Sequence, residues 1–194
     1  MKTDAEPTST SAAPQEGKRH PAVIATAVAL PVALLVGVII AAVTISGSST
    51  RAPEALGPVD APAADSEECA SLLAALPASL GDYGPTELAE PAPVGARAWA
   101  LADDVSEPVV LRCGLARPEG FDVAAPLQVV NGVQWFEVSG ADSGIDASTW
   151  FVVDRAVYVA VTIPGGSGPT PLQDASNAVS AALPQTPLDP APLR

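Results

Sequence analysis

Residues 127–138 read Leu127-Gln128-Val129-Val130-Asn131-Gly132-Val133-Gln134-Trp135-Phe136-Glu137-Val138, two runs rich in β-branched and aromatic residues on either side of Asn-Gly. Asn and Gly tolerate positive φ better than other residues, and a type I′ turn needs positive φ at both central positions. The spacing therefore predicts a two-residue hairpin, with antiparallel strands over 127–130 and 133–138. It commits the domain to an antiparallel sheet.

Outward from the hairpin, short runs rich in Val, Thr and aromatic residues predict further strands at 97–101, 109–115, 149–153 and 157–163, about six in all. Upstream, Asp65 followed by Glu68 reads as an N-cap with its reaching-back carboxylate. Cys69, Leu72, Leu73 and Leu76 then share one helical face, and Pro77 ends the helix. Downstream, Thr170-Pro171-Leu172-Gln173 offers a hydroxyl cap and Pro in the first turn. Leu172, Ala175, Val179 and Ala182 or Leu183 form the apolar face of that second helix, and Pro184 stops it. Connections between strands are too short for crossover helices, so a parallel sheet is excluded. The expected fold over 66–184 is α+β: a mainly antiparallel sheet of about six strands, covered on one face by an N-terminal and a C-terminal helix.

The flanks read differently. Residues 1–21 are polar with three Pro and read as a disordered cytosolic tail. Ala22 to Ile45 carries no charge over 24 residues, about 36 Å as a helix, enough to cross a hydrocarbon core of roughly 30 Å. Pro31 lies inside it, which transmembrane helices tolerate. Lys18 and Arg19 precede the span, whereas Arg51 is the only basic residue in the twenty after it, which places the N-terminus in the cytosol. A cleaved signal peptide is the competing reading, but its apolar region is typically about 7–15 residues long. Ala25, Ala29, Ala33, Gly37 and Ala41 recur every four residues, a small-residue ridge that suits a weak homodimer through the span. Residues 46–65 and 185–194, each rich in Pro, read as a linker and a disordered tail. The linker would reach about 25 Å as a coil and about 60 Å as extended polyproline.

Charge narrows function further. The 194-residue chain has 22 acidic and 9 basic residues, a net charge of −13, and no Lys beyond Lys18. Phosphate backbones are bound by clustered Lys and Arg, so nucleic acid is excluded as a partner. His20 is the only histidine and precedes the span, so the exported part lacks the base of a Ser-His-Asp triad and a Schiff-base lysine. It likewise lacks the His ligands of catalytic zinc, and no cofactor or metal site is expected. Cys69 and Cys113 are the only cysteines. Strand alternation puts Cys113 with Val109, Leu111 and Leu115 on one side and Arg112 on the other, so both thiols face the helix-on-sheet interface. A disulfide there would close a loop of about 45 residues and stabilise by about 4 kcal/mol in the chain-entropy model; two buried free thiols are the alternative.

Paired carboxylates are the remaining catalytic option, and Asp103-Asp104 and Asp142 with Asp146 are the turn-like candidates. The Asp142–Asp146 spacing misses the alternating acids of an EF-hand loop. Pro164-Gly165-Gly166-Ser167-Gly168-Pro169 lacks the Lys-Ser/Thr ending of a phosphate loop and reads as a strand-to-helix connection. Trp99, Trp135, Trp150 and Tyr158 are the large aromatics, most of them expected in the core. Because positive charge is scarce, Arg117 and Arg155, with Trp135, are the candidate ligand-binding residues; internal salt bridges are the competing use of both arginines.

Cys69 with its Leu-rich helix and Leu76-Pro77, Leu111-Arg112-Cys113-Gly114 with Arg117-Pro118, Asn131-Gly132-Val133-x-Trp135, and Asp154-Arg155 leading into Tyr158 and Ile163-Pro164 occur in that order. Over roughly 66–184 this combination resembles the actinobacterial domain of unknown function 3515 family. The resemblance implies an exported, membrane-attached cell-envelope protein and assigns no catalytic residue. The expected function is a single-pass envelope protein with a non-catalytic extracytoplasmic domain that binds or scaffolds an envelope protein or cell-wall component. The alternative is a carboxylate-dependent cell-wall hydrolase or carbohydrate-handling enzyme.

Overall fold

Alternation of buried and open positions organises the strands, and the computed structural model describes them within residues 51–102 and 105–193. The tail 1–21, the apolar run 22–45 and Asp103-Asp104 lie outside the described residues. Among the described residues, no helix is long and apolar enough to cross a membrane. The elements run α1 (Glu67–Ala75), β1 (Gly84–Thr86), β2 (Ala96–Ala100), β3 (Val109–Leu115), β4 (Leu127–Val130), β5 (Val133–Ser139), a 3-10 turn (Ala141–Ser143), β6 (Ala147–Val152), β7 (Tyr158–Pro164) and α2 (Thr170–Ala182). Seven antiparallel strands form one sheet in the order β1-β2-β3-β7-β6-β5-β4. The α+β class thus holds, with one strand more than expected. Strand β1 escapes the hydrophobic pattern because it is only Gly-Pro-Thr, and its Pro85 is tolerated at a sheet edge where no ladder hydrogen bond is needed.

The hairpin forms as its sequence requires. Leu127 pairs with Phe136 and Val130 with Val133. Asn131 has φ 48° and Gly132 φ 80°, and Asn131 is the one non-glycine with positive φ among the described residues. Its amide also donates to Asn177 Oδ1 at 2.9 Å, tying the turn to α2.

Helices α1 and α2 pack on one face. Cys69 and Leu72 from α1, and Leu172, Ala175 and Val179 from α2, meet Val109, Leu111, Trp135, Val152 and Val161. Cys69 and Cys113 are disulfide-bonded across this interface. The helix caps differ from expectation. Ser66, not Asp65, caps α1, its hydroxyl accepting from the Cys69 amide at 3.2 Å. No side-chain hydrogen bond caps α2, where the backbone carbonyl of Pro169 takes the Gln173 amide instead.

The opposite face is covered as well, which corrects the one-sided reading. Phe121, Phe136 and Val153 form a second small core with Phe151, Tyr158 and Leu127. The β3–β4 connection supplies Phe121 while crossing to the far edge of the sheet, and the chain after Pro184 closes over it. Residues 185–193 are therefore not a loose tail: the Val123 amide donates to the Ala191 carbonyl, and the Ala191 amide to the Phe121 carbonyl. The described part of the expected linker, 51–65, is folded too. Glu54 exchanges backbone hydrogen bonds with Glu87 and Ala89, the Ala63 amide donates to the Gly114 carbonyl, and Arg112 Nη2 donates to the Gly57 carbonyl. Pro-rich segments have no periodicity from which such long-range pairing could be read.

Gly132 and Gly114 both adopt positive φ, for different reasons. Around Gly132 the space is open, whereas a Cβ on Gly114 would collide with the backbone of Ala63 and Ala64. Asn tolerates the left-handed region, which costs other L-residues about 1–2 kcal/mol. Gly132→Asn should then be mild, whereas Gly114→Asn should be severe; equal melting temperatures for the two would refute the distinction. For the disulfide, Cys113→Ser should cost about 2–5 kcal/mol in denaturant unfolding. Thiol titration of the denatured, unreduced wild type should find no reactive thiol.

Candidate functional site

The residues singled out in the sequence part company in the structure. Trp135 has no exposed surface, and its indole Nε1 donates to Ser176 Oγ at 3.0 Å. Ser176 Oγ in turn donates to the Leu172 carbonyl at 2.7 Å, so a serine inside a helix satisfies a core tryptophan. Arg155 is buried as well. Its Nη1 lies 2.8 Å from Asp154 Oδ2, with side-chain exposures of 3% and 0%, and its Nη2 donates to the Gly132 carbonyl at 3.3 Å. Gln185 Nε2 adds a 3.3 Å bond to Asp154 Oδ2. Asp154 Oδ1 and Arg155 Nε have no partner. Trp135 and Arg155 are both buried: Trp135 ties the hairpin to α2, and the Arg155–Asp154 pair ties the hairpin turn to the C-terminal segment.

Arg117 stays on the surface, paired with Asp189 at 3.4 Å with exposures of 42% and 83%, a pair worth about 0–1 kcal/mol. Tyr158 donates to the Asp189 carbonyl at 3.3 Å. Burial raises the Tyr158 phenol above its ordinary range, the Asp189 carboxylate adds to this, and Arg117 opposes it. These three side chains thus fasten the C-terminal segment. Arg112, on the same side of the sheet, is lowered by burial.

Chemistry that is open to solvent gathers at the other end of β7. Register pairs Ala147 with Pro164, Ser148 with Ile163 and Trp150 with Val161, so the turn before β6 lies beside the glycine loop after β7. The Gly165 amide donates to the Asp146 carbonyl at 2.8 Å. Between these segments lies a pocket of about 260 Å³, whose walls include Asp146, Trp150, Ser139, Ser148 and Ser167. Ser167 Oγ is 2.7 Å from Tyr83 Oη and donates to the Pro164 carbonyl at 2.7 Å. Asp142, expected to act with Asp146, is exposed on the 3-10 turn and does not line the pocket. Among the described residues, no group of three His, Cys, Asp or Glu side chains is placed to hold a metal ion.

A larger groove of about 630 Å³ runs beside β1 and carries Glu87, Glu90 and Arg97 among apolar residues. There Glu90 Oε2 accepts from the Ala92 amide at 3.1 Å, and Arg97 donates to the Ala96 carbonyl at 3.0 Å. Both charged groups are turned onto their own backbone.

In the sequence alone, Asp146 is one member of an acidic pair and the glycine loop a plain connection. Their meeting depends on the β6–β7 register, and β6 begins two residues earlier than its Val- and aromatic-rich run suggests. Ser139 and Ser148 carry no signal before that pairing is known.

A match over residues 28–188 places the chain in a class of proteins of unknown function. It belongs to the family described as "Protein of unknown function (DUF3515)". No curated protein and no solved structure matches the chain.

The buried pair can be tested directly. Removing one partner strands a charge in the interior, at a cost of about 3–5 kcal/mol, whereas replacing both by apolar groups is often neutral. Asp154→Leu and Arg155→Met should each destabilise strongly in denaturant unfolding, and the double variant should be more stable than either single one. Additive losses would refute this account.

Proposed function

We propose that this chain is a single-pass cell-envelope protein, anchored by Ala22 to Ile45, whose extracytoplasmic α+β domain binds or scaffolds a partner and does not catalyse. The uncharged 24-residue run after Lys18-Arg19 supports the anchor and its orientation. The observation that carries the binding reading is the composition of the pocket at the glycine loop. Its walls hold one carboxylate, an aromatic side chain and hydroxyls, without a histidine, lysine, thiol or second carboxylate. Glycoside hydrolysis needs two carboxyl groups facing across one cleft, roughly 5–10 Å apart. The bonded cysteines support the same reading, since neither supplies a thiolate nucleophile.

Crosslinking the full-length protein in intact cells should capture a discrete envelope partner or wall component. Protease added to spheroplasts should abolish that capture by removing the outer domain. Turnover of wall glycans or peptides by the purified protein, abolished by Asp146→Asn or Glu87→Gln, would overturn the binding reading in favour of a carboxylate-dependent hydrolase.

A further inference from the structure

We propose that the pocket at the glycine loop receives an alkylammonium group, with Asp146 as its counter-ion. This rests on the binding reading above and names the chemistry of its ligand. The volume of about 260 Å³ falls below the roughly 300–1,000 Å³ of pockets that enclose drug-sized molecules, so it suits a small amine or one long side chain. Asp146 is the only charged residue on the walls, and Ile145, Ile163 and Trp150 are among the residues that supply apolar and aromatic surface there. A carboxylate and an aromatic ring in the walls of one pocket can both serve an organic cation, the first through charge and the second through the negative face of the ring.

The Asp146 carboxylate is exposed and lies against Gly165. Among the described residues it forms no ion pair, while the described arginines are engaged elsewhere: Arg51 with Glu54, Arg117 with Asp189, Arg155 with Asp154, and Arg97 and Arg112 on backbone carbonyls. Gly165 shows that its position is built into the loop. Gly166 and Gly168 have positive φ, but Gly165 does not, so its backbone does not require glycine. What requires glycine is space, because a Cβ there would collide with the Asp146 carboxylate.

Electrostatics favours a cation over an anion. Helix α2 starts at Thr170, just past the loop, and its N-terminus carries the equivalent of about half a positive charge. Against this stand the full charge of Asp146 in the wall, Asp142 next to the wall residue Ala141, and a chain of net charge −13. An anionic ligand would meet the carboxylate at contact distance. A neutral polyol would leave its charge unanswered.

The test uses full-length protein in detergent micelles, titrated with butylammonium chloride at constant ionic strength and followed by tryptophan fluorescence. Trp99 and Trp135 are buried, so half-buried Trp150 is the reporter exposed to the pocket. A saturable change is expected with butylammonium and not with 1-butanol. Asp146→Asn should weaken it about two- to fivefold, as loss of one member of an exposed charge pair does, while leaving the melting temperature unchanged. Gly165→Ala should weaken it in the same way by displacing the carboxylate. Equal affinity in Asp146→Asn, or an equal response to 1-butanol or glucose, would overturn the proposal.

A short Gly-Ser peptide with one central lysine separates the two sources of such a group. Tighter binding than butylammonium assigns the ammonium to a partner's side chain, and equal or weaker binding assigns it to a free amine. No response to any of these amines, with a partner still captured by crosslinking, would overturn this inference and leave the binding reading standing.

Discussion

The bond between Cys69 and Cys113 joins the first helix to a central strand, and much of the domain is arranged around that point. Cys113 lies on β3, the strand that separates β1-β2 from the returning β7-β6-β5-β4 half of the sheet. The next residue, Gly114, sits at the register shift between β3 and β7, and its missing side chain lets residues 63–64 cross directly over the strand. The chain therefore enters over β3, turns at Ser66 into α1, and is tied back to β3 three residues into that helix. An anchor of this kind matters in a domain with few large side chains. The bridge restricts the unfolded chain, a contribution that does not depend on how much apolar area the core buries.

A second junction closes the opposite half. β7 returns beside β3, so β4 is left at the far edge, and the connection from β3 must cross the sheet to reach it. Phe121 on that connection fills the second core, and the segment after Pro184 straps it through Ala191 and Asp189. Asp154 and Arg155 sit where the strap, the hairpin turn and β7 converge, bonded to Gln185 and Gly132. An ion pair this deeply buried is costly to desolvate, and two of its polar atoms have no partner. What the structure shows is that the pair bonds to the hairpin turn through Gly132 and to the strap through Gln185.

How much of this the amino-acid pattern announces depends on the range of the interaction involved. The strands Val109–Leu115 and Leu127–Val130, the Asn131-Gly132 turn and the buried faces of both helices are legible, because they follow from spacing within a few residues. The shared interface of the two cysteines is legible for the same reason, since each face follows from local periodicity. What lies beyond reach is pairing over distance: the Gly-Pro-Thr edge strand, the folded segments on either side of 66–184, and the satisfaction of Trp135 by Ser176. Pro and Ala in those flanks give neither a period of 2 nor one of 3.6. Their order comes from backbone groups that find partners on the sheet.

The candidate site shows the same division within a single loop. Gly166 and Gly168 turn the chain between β7 and α2, a task that positive φ makes recognisable in any Gly-rich connection. Gly165 serves the neighbouring strand instead, by leaving room for Asp146. A loop built only to connect would have no need of glycine there on account of φ, which is not positive. Constraint without a backbone cause is what separates this loop from a plain turn. It also separates Asp146 from the other exposed acids of the domain: many carboxylates serve solubility, but this one lies against Gly165 in the wall of a pocket.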